Sequence, residues 1–183
     1  LAARQDLSAV RELRRLPGEP EDFTTSHDGT LVLYRAIDRR RGRASLYLMD
    51  VRSPRSAVEV ATDSQPGLES LHPIDYSVGA VADGVLAFSA QDGIGDALYV
   101  QRFRHKFTEG RTARFQLGKR RKLDVRPPTG TRFITIADPT FSADASHLAF
   151  VGVAEDGQQD IYVVPVTGGV ARRVTNDGYT EKD

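Results

Sequence analysis

The chain has 183 residues, about the length of one domain, which is enough to bury a core without staples. Lys plus Arg and Asp plus Glu are 25 each, and this zero net charge argues against a generally basic nucleic-acid binder. The absence of cysteine excludes disulfides, thiolate metal sites and cysteine nucleophiles. No run approaches the ~18 apolar residues of a membrane span. The chain opens at Leu1 with no basic-then-apolar leader, and so reads as processed or as cut from something larger.

At the start, Leu7, Val10, Leu13 and Leu16 recur every three residues. This spacing predicts a short helix to about Val10, followed by a strand. Three stretches then share one pattern. The first runs from Phe23 through Asp28-Gly29 to Leu31-Val32-Leu33-Tyr34, then after a polar loop to Ser45-Leu46-Tyr47-Leu48-Met49. The second runs from Tyr76 through Asp83-Gly84 to Leu86-Ala87-Phe88, then to Ala97-Leu98-Tyr99-Val100. The third runs from Pro139 through Phe141-Ser142-Ala143-Asp144 to Leu148-Ala149-Phe150, then to Ile161-Tyr162-Val163-Val164. From the aromatic closing the first strand to the following tyrosine the spacing is 13, 11 and 12 residues.

Each unit reads as short strands joined by tight turns. Asp28-Gly29 and Asp83-Gly84 are expected as hairpin turns, because glycine takes positive φ without a Cβ clash. Asp144-Ala145 fits a type I turn instead. The nearly continuous apolar runs predict strands buried on both faces, as in sheets stacked on neighbours. A repeat of roughly 40–50 residues built from short strands suggests a propeller blade. The expected organisation is an N-terminal helix and outer strand (1–17), a blade (18–66), a blade carrying a basic insertion at 101–133 (67–133), and a third blade (134–183).

The third repeat, with Pro139-Thr-Phe-Ser-Ala-Asp, Leu148-Ala-Phe, Asp160-Ile-Tyr-Val-Val, Gly168-Gly169 and Arg172-Arg173-Val-Thr-Asn, resembles the TolB-type β-propeller repeat. It departs from that repeat in having Phe141 for its tryptophan, Ala143 for its second proline and Ala145 for its glycine. The resemblance implies an all-β propeller of four-stranded antiparallel blades, about three of them here. It also implies a structural role for Asp96 and Asp160, as carboxylates accepting hydrogen bonds at a blade edge. The same repeat serves as a binding or gating scaffold in TolB, in tricorn-type proteases and in prolyl oligopeptidases. Those proteins close a ring of six or more blades, so a second copy, another chain or a further segment is expected to complete this one.

The charge is uneven along the chain. Residues 35–55 carry +5, 56–100 carry −7, 101–126 carry +8 and 133–183 carry −5. Such runs usually mark solvated loops; the sharper reading is an anion-binding patch at Lys119, Arg120, Arg121 and Lys122.

Candidate chemistry is sparse. The chain contains no Gly-x-Ser-x-Gly, His-Glu-x-x-His or phosphate-loop motif. His27, His72, His105 and His147 are far apart in sequence, and metal ligation by them is disfavoured. The acidic loops Asp92–Asp96 and Glu155–Asp160 lack EF-hand spacing and read as ordinary turns. Tyr47, Tyr99 and Tyr162 are read as packing between blades in preference to a stacking platform. No catalytic, metal or cofactor residue is assigned, and no nucleic-acid partner or transmembrane segment is expected. The expected function is a non-catalytic scaffold binding a protein or peptide, periplasmic or extracellular by the resemblance. The alternatives are the propeller of a serine peptidase whose catalytic part lies elsewhere, and a structural part joined through blade edges.

Overall fold

The structure, a computed structural model, describes residues 16–66, 68, 70–78, 83–109, 112–129 and 132–176. Its regular elements are all strands. The first sheet contains β1 (Glu19–Thr25), β2 (Leu31–Asp38), β3 (Arg43–Asp50) and β4 (Ser53–Thr62). The second contains β5 (Ser70–Val78), β6 (Asp83–Asp92), β7 (Gly95–Lys106) and β8 (Arg114–Lys122). After β9 (Val125–Arg126), the third sheet is built from β10 (Phe133–Phe141), β11 (His147–Ala154), β12 (Gln159–Pro165) and β14 (Arg172–Arg173). The short β13 (Gly169–Val170) pairs in parallel with β9. Each four-stranded sheet is antiparallel, with its strands in chain order, as a blade requires. The predicted helix to about Val10 lies outside the described residues.

The repeated spacing becomes register. Tyr34 pairs with Tyr47, Phe88 with Tyr99, and Phe150 with Tyr162. Each pair stacks, with ring centroids 5.4, 5.3 and 5.8 Å apart. The residues on either side of each pair face the opposite way, because side chains alternate along a strand. The sheets therefore stack in one sense. Leu33, Leu46 and Leu48 of the first sheet meet Phe88 and Tyr99 of the second in one core. Ala87, Leu98 and Val100 of the second sheet meet Phe150 and Tyr162 of the third in another. At ~2 kcal/mol for each fully buried large apolar side chain, these two seams are the main source of stability. The same repeat positions in the third sheet, Ala149, Ile161 and Val163, have no sheet over them among the described residues; Ile161 is exposed and the other two are half-buried.

Three local expectations change. Asp83 and Gly84 are not a turn: they pair with Arg104 and Phe103 inside the ladder between β6 and β7. The long β7 carries the pairing past the point where the shorter hairpins end. Asp144-Ala145 does not adopt a different turn from Asp28-Gly29. Gly29 has φ 69° and Ala145 has φ 55°, and both turns close in the same way, with the Gly29 amide donating to the Ser26 carbonyl and the Ala145 amide to the Ser142 carbonyl. Finally, 101–133 is not an insertion into the blade. Its first six residues finish β7, and Arg114–Lys122 is β8, the fourth strand of the second sheet.

Candidate functional site

β7 separates two environments by alternation. Tyr99 and Phe103 turn toward the first sheet and lie in its core, whereas Leu98 and Val100 turn toward the third. The third-sheet side of β7 then continues to the exposed Arg102. β8 repeats the division. Arg121 pairs with Val100, while Arg120 pairs with Gln101 on the other side. An irregularity between Gln101 and Phe103 sets Gly118 close to the Arg102 carbonyl; a Cβ there would come within 3.1 Å of that oxygen.

The consequence is a cleft of about 770 Å³ between the second and third sheets. Val85, Val100 and Val166 form its apolar part, and Arg102, Lys119, Arg120 and Arg121 line it with positive charge. Across from them is the turn Asp144-Ala145-Ser146. Arg121 donates to the carbonyls of Val166 at 2.5 Å and Thr167 at 3.1 Å, bridging the two sheets. Arg120 donates to Gln65 Oε1 at 2.7 Å and lies over the Tyr99 ring. Among the described residues none of these four cations has a carboxylate in ion-pair range, and Arg102 and Lys119 have no polar partner at all. Asp144 is committed to its own turn. Hydrogen bonds from the Ser142 hydroxyl and from the Ser146 amide and hydroxyl lower its pKa to about 2.

The patch expected at 119–122 is thus divided. Lys119, Arg120 and Arg121 reach the cleft, but Lys122 turns to Asp92 at 2.6 Å. A charge run summed as one block conceals Arg102. The signal was the alternation Gln101-Arg102-Phe103-Arg104-His105-Lys106, which marks a strand with one buried face.

At the seam between the first and second sheets lies a different polar cluster. Asp50, fully buried at the end of β3, accepts from the Arg52 amide and guanidinium, and its Oδ2 lies 2.9 Å from His105 Nε2. His105 stacks on Phe115, and Arg52 caps the Phe107 ring at 3.9 Å. Burial works against ionisation of Asp50, but the Arg52 hydrogen bonds and charge, with His105, leave its carboxyl below the ordinary value.

The other candidates occupy structural positions. His27 is exposed; His147 Nδ1 contacts the Ser146 hydroxyl at 2.7 Å; the His72 side chain lies outside the described residues. Asp96 accepts from the Ile136 amide in the next sheet. The buried Asp160 holds Arg173 and Thr175, tying β14 to β12. Asp156 accepts from the Gln158 amide, and Glu155 pairs with Arg132. Among the described residues no three His, Asp or Glu side chains cluster as metal ligands, and no helix is long and apolar enough to cross a membrane. Tyr99 and Tyr162 are buried, each in the core shared with the preceding sheet, which leaves neither ring face open for stacking a ligand. Burial, then its bond to Asp92, pushes the Tyr99 hydroxyl up to about 12.

No family profile and no curated protein matches the chain. Among solved structures it is similar to TolB from Acinetobacter baumannii, at 15% identity and a TM-score of 0.36. That match covers 86% of this chain and 44% of the other, so the chain spans less than half the length of that protein. At so low a TM-score, the all-β assignment rests on the strand ladders themselves.

Proposed function

We propose that this chain is a non-catalytic scaffold of propeller-like blades that holds a protein or peptide in the cleft between its second and third sheets. The observation that carries this reading is the cleft, where cations without acidic partners border an apolar floor. Sites that fix a ligand combine those two features. An extracytoplasmic location belongs to the same proposal and rests on the resemblance of the repeat.

The scaffold reading also holds that a further sheet, from a second copy, another chain or a further segment of the protein, covers Ala149, Ile161 and Val163. The equivalent positions of the first two sheets are buried under a neighbour. Light scattering tests this second part: a well-behaved particle at the 20.1 kDa chain mass would count against it.

A peptide array probed with the chain tests the cleft. The expected result is a bound set that is lost in Arg102→Glu and Lys119→Glu variants whose melting temperatures stay within a degree or two of the parent. Peptide binding indifferent to both substitutions would remove the cleft from the proposal.

A further inference from the structure

We infer that the cleft takes an extended acidic segment, which adds as a strand to the outer edge of β8; this deepens the peptide-binding reading and rests on it. Four observations converge. First, β8 pairs with β7 on one side, and among the described residues no strand pairs with its other side. An unpaired edge presents a row of backbone donors and acceptors at the spacing an extended peptide needs. Second, the consecutive residues Gly118, Lys119, Arg120 and Arg121 all line the cleft, so it runs along the edge of β8 as well as over one face. Third, Lys119 and Arg121 are two apart in one strand and therefore share a face. A strand added alongside places its own residues of period two opposite them, where a carboxylate pairs well and a cation is repelled. Fourth, Arg102 adds a third cation without a carboxylate partner on that face, beside Val85 and Val100. The complementary segment alternates acidic residues with apolar or polar ones.

Protection of a free edge against aggregation also favours basic residues. That role asks for charge anywhere along the strand. It does not account for an apolar floor beneath the charges, nor for Arg121 being held in place by two carbonyls of the third sheet. A nucleic acid is disfavoured because the described residues that line the cleft include no aromatic ring on which a base would stack.

The test uses fluorescence anisotropy with a labelled ten-residue peptide alternating Glu and Val. Three controls accompany it: the Lys/Val counterpart, the Glu/Val peptide N-methylated at every amide, and a single-stranded oligodeoxynucleotide. The expected result is saturable binding of the Glu/Val peptide. It weakens about fivefold in each of Lys119→Glu and Arg102→Glu, the size of one exposed charge pair. The Lys/Val peptide and the oligonucleotide bind at least tenfold more weakly. Because blocking every amide removes the peptide's hydrogen-bond donors along both of its edges while keeping the charge, loss of binding by the methylated peptide supports strand addition. Undiminished binding of that peptide overturns it, and tighter binding of the oligonucleotide overturns the acidic-peptide assignment. Binding of the Lys/Val peptide that is still lost in the cleft variants leaves the scaffold reading standing and removes only the acidic preference. No binding by any peptide removes both. Circular dichroism melts of the two variants separate lost binding from lost folding, since both substituted side chains are exposed.

Discussion

The seam between the first and second sheets and the seam between the second and third are built from the same repeat positions, yet they end differently. In the first seam, the aromatic pair Phe88–Tyr99 is followed along β7 by Phe103, with Phe115 and Leu117 of β8 packed beside it, and the end carries the buried Asp50–His105 contact. In the second, Leu98 and Val100 are followed by Arg102, with Lys119 and Arg121 alongside, and the end opens into a cleft. Both outcomes come from one pair of strands whose side chains alternate. The difference teaches that a blade carries closure and access on opposite faces, and that residues 101–122 decide which seam receives which.

Breaking the closed seam gives the largest expected effect. Phe88 is fully buried where the first two sheets meet, and Phe88→Ala is expected to cost about 3–5 kcal/mol in urea unfolding. Val100→Ala, on the other side of the same sheet near the open cleft, is expected to cost about 2 kcal/mol. Equal losses at the two positions would erase the distinction between the seams.

A smaller effect is expected at the polar end of the closed seam. Asp50→Asn keeps the size of the side chain but removes the charge that Arg52 and His105 address, and about 2 kcal/mol is expected to be lost at pH 7. The sign with pH follows from the lowered carboxyl. Folding holds the ionised form, so its contribution is complete above the ordinary carboxylate pKa near 4 and disappears as pH falls through the lower folded value. Parent and variant are therefore expected to converge in stability below about pH 4. A gap that stays constant down to pH 2 would show that the charge of Asp50 is not what stabilises the seam.

This contrast was partly legible in the sequence. The apolar runs and the aromatic spacings become strands and cross-strand pairs, because burial on both faces leaves no freedom of register. The cleft was harder to see. Summing charge over 101–126 hides the alternation of Phe103 and His105 with Arg102 and Arg104, and the longer β7 breaks the template set by the shorter hairpins. Lys122 could not be separated from Arg121 without the register that sends it to Asp92. The contact between Asp50 and His105 joins residues 55 positions apart in sequence, and no local pattern marks such a pair.

The smallest effect concerns the turn that faces the cleft, set against its counterpart in the first sheet. In both turns a serine hydroxyl donates to an aspartate two residues on, at 2.7 Å for Ser26 and 2.6 Å for Ser142. The aspartate also accepts from the amide two residues beyond, Thr30 in one turn and Ser146 in the other. The residue between lies in the left-handed region, Gly29 at 69° and Ala145 at 55°. Glycine reaches this region freely, whereas a Cβ strains it. The Asp144 cage therefore holds Ala145 in a conformation that Gly29 adopts without cost. Ala145→Gly is expected to raise stability by about 0.5–1 kcal/mol, a relief of strain offset in part by the larger entropy of an unfolded glycine. Gly29→Ala is expected to lower it by a similar amount, although open space surrounds the new Cβ. Because the Ala145 turn borders the cleft, the same glycine variant also reports on the ligand. Stability that rises without any change in peptide affinity means that the turn acts as a passive wall. A fall in affinity means that the strained turn holds the cleft in its binding shape.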